Sequence, residues 1–244
     1  MRRFFGLIAC LLLAGALPAS AAITLHSHAL SVNGNTPSVT IDTTGDSLIA
    51  VCVVGDGGNG STKTVSDNRN GSYTRVASPL SIAGTQTELW WVNVTVPNAS
   101  TTITYSGNFS NIGAMSFAGT ATSSPTDGAA TGATQAFASS IQPGSITPSQ
   151  ANGMLFSCFG GNPGVTTITV SSPFTIPSGD SIPGDAAAQA YSIQTSAAAA
   201  NPTWSGTGWS GSEAALASMQ AFKDPGGGGG GTPFHGMSMM GVGH

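Results

Sequence analysis

The amino-acid sequence predicts an all-β protein, a jelly-roll-like antiparallel β-sandwich made of two pseudo-symmetric sequence halves. Three observations predict it. Short apolar or alternating segments recur between dense turn signals such as Asn33-Gly34, Asn59-Gly60, Asn70-Gly71, Asn152-Gly153 and Pro183-Gly184. One sequence pattern occurs twice. No stretch carries a convincing helical period with caps; the Ala-rich segment 186–190 is the best helical candidate and is too short to stand alone.

The repeated pattern has three parts. Asp46-Ser47-Leu48-Ile49-Ala50-Val51-Cys52-Val53 matches Asn152-Gly153-Met154-Leu155-Phe156-Ser157-Cys158-Phe159, a polar turn and then a continuous apolar run with Cys at the same place. Such runs read as strands buried on both faces. Thr104-Tyr105-Ser106-Gly107 matches Thr203-Trp204-Ser205-Gly206, and Ala114-Met115-Ser116-Phe117 resembles Ser218-Met219-Gln220-Ala221-Phe222. These matches define a sandwich over residues 22–224, with halves at about 24–122 and 139–224. Further strands are expected at 38–42, 87–96, 101–105 and 166–170, where polar and apolar residues alternate or Val, Trp and Thr are dense. One sandwich is favoured over two separate domains, for which 123–138 is the only plausible linker.

The ends have other characters. Arg2 and Arg3, the apolar run 4–17, Pro18 and Ala19-Ser20-Ala21 form a signal peptide, with cleavage expected after Ala21. The run is too short to span a bilayer, and no other segment qualifies. The chain is therefore expected to be secreted, whether extracellular, periplasmic or cell-surface. At the other end, 225–244 reads as a flexible tail with six consecutive glycines and then His and Met residues. Soft-metal or docking roles are the alternative there.

Charge narrows the partners. Charged residues make up only 7% of the 244-residue chain while hydrophobic residues reach 40%, so Ser, Thr, Asn, Gln and Gly supply the polar surface. Loss of Arg2 and Arg3 lowers Lys plus Arg from 6 to 4 against 10 Asp plus Glu, a net charge of −6. That leaves no electrostatic footprint for nucleic acid. Cys52 and Cys158 remain in an oxidising compartment, where they either pair or stay as buried thiols.

Motifs for chemistry are weak. Gly45-Asp46-Ser47-Leu48 has the lettering of GDSL hydrolases, but a buried strand follows the Ser where a helix is needed. Glu88 and Glu213 are the only glutamates, and Glu88 is expected to face solvent. Asp67-Asn68-Arg69-Asn70-Gly71 spaces oxygen ligands as a Ca²⁺ loop does, yet a tight turn explains it with less. His26 and His28 share a strand face, but two ligands are not a metal site, and the default is an exposed N-terminal strand. No cofactor and no catalytic residue is assigned. The aromatics are the candidate ligand-binding residues: Trp90, Trp91, Trp204 and Trp209, since an exposed Trp offers a flat surface to a sugar ring. Trp90 and Trp91 point to opposite faces of a strand, so one of them fills the core.

Three segments carry a resemblance. Residues 65–74 (VSDNRNGSYT) resemble an SDNxGNxYT stretch, Glu88-Leu89-Trp90-Trp91-Val92 an LWY strand, and residues 117–127 (FAGTATSSPTD) an FSGxATSSPxD segment. Together they resemble uncharacterised bacterial secreted or surface β-sandwich modules, over roughly 24–224. The resemblance implies a fold and carries no catalytic residue. The chain departs from it in having no acidic residue before Phe117 and in its glycine tail. The expected function is a non-catalytic secreted binding or cell-surface module, with a glycan or a cell-surface protein as partner. The alternatives are a structural or assembly subunit (adhesin, surface-layer or virion-associated) and an exported hydrolase.

Overall fold

The computed structural model describes residues 22–32, 36–56, 63–107, 111–136, 139–161, 164–208 and 214–226. The expected signal peptide, most of the glycine tail, Trp209, Glu213 and the Asn33-Gly34 and Asn59-Gly60 turns lie outside them.

The first half contains β1 (Thr24–Val32), β2 (Ser38–Ile41), β3 (Leu48–Asp56), β4 (Val65–Asp67), β5 (Thr74–Arg75), β6 (Leu80–Ile82), β7 (Thr85–Asn93), β8 (Thr101–Tyr105) and β9 (Asn111–Ala118). The second contains β10 (Thr126–Ala136), β11 (Ser140–Ile141), β12 (Met154–Gly161), β13 (Thr167–Val170), β14 (Ser181–Ile182), β15 (Ala187–Ile193), β16 (Trp204–Thr207) and β17 (Ala214–Phe222). A single 3₁₀ turn, Pro183–Asp185, is the only helical element among the described residues. The protein is all-β and antiparallel.

The strands form four sheets. The first half contributes β1-β9-β3-β7-β5, with β6 also on β7, and a three-stranded sheet β2-β8-β4. The second contributes β10-β17-β12-β15-β14 and β11-β16-β13. In each large sheet a central strand has two long antiparallel neighbours, β9 and β7 on β3 and β17 and β15 on β12; the first sheet has six strands and the second five. Cross-strand pairs repeat too: Leu48 faces Phe117 as Met154 faces Phe222. The turn pairs shift one sequence match by two residues. Asn68 and Thr102 exchange hydrogen bonds (3.3 and 3.1 Å) as Ser171 and Thr203 do (both 2.9 Å), so Thr203 stands where Thr102 does rather than Thr104.

Period-two alternation explains why the central strands are apolar throughout. On β3, Leu48, Ala50, Cys52 and Val54 enter an apolar cluster with Met154, Phe156, Cys158 and Phe222 of the other half. Ile49, Val51 and Val53 enter the core of the first half, with Ile103 and Ile112. Phe159, Trp204 and Ile168 fill the core of the second half. The large sheets are therefore inner layers covered on both faces.

Cys52 and Cys158 form a disulfide between these inner sheets, with Cα atoms 5.3 Å apart. The open alternative between pairing and free thiols is thereby decided. Close approach of the halves also requires glycine at Gly160. A Cβ there would stand 2.3 Å from Thr87 Oγ1 and 2.8 Å from Val54 Cγ1. Gly160→Val is expected to lower stability by about 1–3 kcal/mol through overpacking. Urea unfolding checks this; an unchanged midpoint would mean that the halves do not pack at this spacing.

Two expectations change. Within the segment 123–138, the linker of the two-domain alternative, Thr126–Ala136 forms β10, an edge strand paired with β17. Its Gly, Ala and Thr residues give no apolar alternation because the strand is largely exposed. The segment 186–190 forms no helix, in keeping with its shortness: Ala186 closes the 3₁₀ turn at φ 48°, β15 starts at Ala187, and Ala188 and Ala190 pack into the second core. Glu88, expected at the surface, is 2% exposed.

Candidate functional site

The site is built on β7. Alternation sends Gln86, Glu88 and Trp90 into the first core and Thr87, Leu89 and Trp91 toward the seam between the halves. Trp90 is 5% exposed, and Arg75 lies over its ring at 5.4 Å. Trp204 is 0% exposed, stacked on Phe159 at 5.4 Å, with Nε1 donating to Ser157 Oγ at 2.9 Å. Neither Trp90 nor Trp204 offers a ring face to a ligand, which corrects the expectation that these two bind; each fills its half's core because large aromatics contribute most through burial. Trp91 is different. It is half-buried, meets Phe222 edge-on with centroids 6.4 Å apart, and lines an open crevice.

The crevice runs along the seam. Its outer part, about 300 Å³, is lined by Thr74, Arg75 and Trp91 of the first half and by Thr126, Ala129 and Gln220 of the second. A smaller inner cavity of about 60 Å³ shares Val76, Ala77 and Ala130 with it. Two hydroxyls on that inner lining, Thr87 Oγ1 and Ser218 Oγ, are buried without hydrogen-bond partners. Residues β7 needs for its strand register thus converge with those of β10 and β17, far away in sequence, on one opening.

Behind the crevice lies a buried carboxylate. Glu88 Oε1 accepts from Gln86 Nε2 (2.6 Å) and Tyr105 Oη (2.9 Å), while Oε2 accepts from Trp90 Nε1 (2.9 Å). Arg75 Nη1 stands 3.8 Å from Oε2. Burial pushes the Glu88 carboxyl above the usual range, against these donors and the guanidinium. Sequence reading missed this cluster; Gln86 and Glu88 two apart with Trp90 on one strand was the available signal.

The remaining motifs have structural partners. Ser47 Oγ donates to Phe117 O, accepts from Thr120 N and bonds Thr120 Oγ1, so the GDSL-like serine ties two turns together. Its neighbour Asp46 pairs with His26 Nδ1 at 2.9 Å, a bond that raises the His26 pKa. His28 Nδ1 reaches Asp180 Oδ1 across the seam at 3.1 Å. β1 stays exposed to part-exposed along its length, with the His26 side chain 37% exposed, and both rings anchor it to buried aspartates. The Asp67 carboxylate accepts from the backbone of Arg69, Asn70 and Gly71 and from Tyr73 Oη, which fills its oxygens within a turn. Among the described residues no group of three or more His, Cys, Asp or Glu side chains is placed to hold a metal ion. No helix among them is long and apolar enough to cross a membrane.

No protein-family model matches the chain, and no curated protein and no solved structure matches it. The crevice and its chemistry therefore carry the functional reading.

Proposed function

We propose that the chain is a secreted, non-catalytic binding module that holds a glycan in the seam crevice against Trp91. One observation carries the reading. Trp91 is the described tryptophan left half-exposed, and it opens onto about 300 Å³ bordered by hydroxyl, amide and guanidinium groups. An aromatic wall with a few placed polar groups suits a sugar, whose ring carries an apolar C–H face and a polar rim. Clefts between packed units are the usual place for such sites. The signal-peptide pattern at residues 1–21 supports secretion.

The test is a glycan-array screen of the chain beginning at Ala22, beside Ala129→Trp. Ala129 is exposed on the crevice rim, so the new indole fills the opening without entering a core. Specific binding lost in Ala129→Trp, at an unchanged melting temperature, is the expected result. Binding that survives the filled crevice would overturn the reading. Trp204→Ala is not a useful probe, because it empties the second core.

A further inference from the structure

The second half carries a cavity that the crevice does not include. It lies between the loop 171–174, after β13, and the loop 194–202, which joins β15 to β16, and it encloses about 430 Å³. We propose that this groove is a second binding site, specific for uncharged saccharides of one or two rings.

The lining sets the ligand class. Among the described residues, no ionisable side chain borders the groove. Ser171, Ser172, Thr195 and Ser196 bring hydroxyls, and Gln194 and Asn201 bring amides. Pro173 supplies exposed apolar surface, with the edges of the buried Phe174 and Pro202 beside it. Hydroxyl and amide groups beside a small apolar patch match a neutral sugar and offer nothing to hold a charged ligand against water. The volume falls within the range of small-molecule sites.

The space is a product of sequence. Ala198, Ala199 and Ala200 put three short side chains along one wall. The corresponding loops of the first half are laced together, because Asn70 Oδ1 accepts from both Thr95 N (2.8 Å) and Val96 N (2.9 Å). In the second half, Ser171 and Thr203 keep the pair that Asn68 and Thr102 make, and the loops beyond them leave the groove between them.

A second observation points to a ligand. Gln194 is 9% exposed, lines the groove, and its Oε1 is buried without a donor. Buried acceptors are almost always paired, and an orphan asks for an explanation. The terminal torsion of Gln is soft, so the amide turns at little cost; a sugar hydroxyl in the groove then supplies the missing donor. Peptide strand addition is disfavoured, because the loop backbone is already engaged: Ile146 and Ala200 bond each other in both directions (3.0 and 2.8 Å), and Gln194 N donates to Gly153 O at 2.9 Å.

The experiment is amide-shift mapping by NMR on the chain beginning at Ala22. The probes are cellobiose, maltose, lactose and di-N-acetylchitobiose at millimolar concentration, with a neutral Ser/Ala peptide beside them. At least one disaccharide is expected to give saturable shifts confined to 171–174 and 194–202. Ala199→Trp, an exposed position on the groove wall, is expected to remove them, and Ala129→Trp to leave them. Gln194→Leu is expected to weaken binding about tenfold, the size of one hydrogen bond, with no loss of melting temperature. Four results overturn the proposal: no shifts in the groove with any disaccharide; groove shifts that persist in Ala199→Trp; groove shifts with the peptide alone; and shifts confined to the crevice. The last leaves the crevice reading standing and sinks only the groove.

Discussion

Replacing Cys52 and Cys158 together with Ala is expected to lower stability by about 4–5 kcal/mol, the chain-entropy value for a closed loop of about one hundred residues. The sequence separation is 106, so the bond ties the middle of one inner sheet to the middle of the other. Both residues are at most 1% exposed and sit among Leu48, Phe156 and Ala187. Ala is the appropriate replacement because it leaves no hydroxyl in that apolar layer. The melting temperature should fall by roughly 10–20 °C, taking about 2–4 °C per kcal/mol for a chain of this size. Thermal unfolding of wild type and double variant checks it, with a thiol count on the denatured wild type. Free thiols there, or equal melting temperatures, would remove the disulfide from the account of stability. Because the bond is buried, reductant should act slowly on the folded protein and quickly once it unfolds.

The second large effect concerns Glu88 and has a sign fixed by burial. Its folded pKa is raised from the ordinary 4.5, chiefly by desolvation. The folded chain then holds this proton more tightly than the unfolded chain. The contribution is fully present below about 4.5 and is lost as pH rises through the folded pKa. Asp46 and Asp180 are raised by burial in the same way. His26, raised by its Asp46 bond, adds stability that is lost as pH rises above 6.5. Asp42 and Asp67 are lowered by hydrogen bonds, so their contributions disappear only as pH falls below 3.8. The urea midpoint should therefore be highest in mildly acidic solution and decline toward pH 8.

Glu88→Gln separates this residue from the others. It should track wild type at pH well below 4.5, where the carboxyl is protonated folded and unfolded, and flatten the decline above it. Parallel pH profiles for the two proteins would show that Glu88 does not titrate in that window. Glu88→Ala is a different experiment. It deprives Gln86, Tyr105 and Trp90 of their acceptor and Arg75 of its counter-charge, at a cost of about 3–5 kcal/mol.

The chemistry of the second half shows why this cluster is confined to the first. Pairing across the inner sheets sets Leu89 opposite Cys52 and Gln189 opposite Cys158, so Ala188 and Ala190 occupy the places of Glu88 and Trp90. Two small residues there make room for Trp204, which fills the core and is 0% exposed. The same architecture is thus completed by a polar cluster on one side and by a stacked aromatic pair on the other.

At the seam, polar Gln189 stands opposite Cys158 where apolar Leu89 stands opposite Cys52. Gln189 Nε2 shares its two hydrogens among Asp180 Oδ2, Ala29 O and Ala114 O, joining β15 to β1 and β9. Gly113 admits it, since a Cβ there would lie 2.7 Å from the Gln189 amide.

Much of the fold was legible in the chain. The continuous runs at Leu48 and Met154 announced strands covered on both faces, because only a two-sided interior tolerates apolar residues at every position. Matched cysteines in those runs pointed to equivalent places in two halves, and the turn dipeptides placed several of the breaks. Whether those cysteines paired was a matter of distance between two inner sheets, which no local pattern encodes. β10 was illegible because an exposed edge strand needs no apolar alternation. Trp90 and Trp91 were known to diverge, but which one met solvent depended on the other sheet lying over each face. Glu88 looked like a surface residue because its partners Tyr105 and Arg75 come from other strands. The crevice and the groove are gaps between segments distant in sequence, so their existence was decided only when the halves and loops packed. The periodicity of a chain determines which residues turn inward; the tertiary structure decides what they meet there and where the packing is left incomplete.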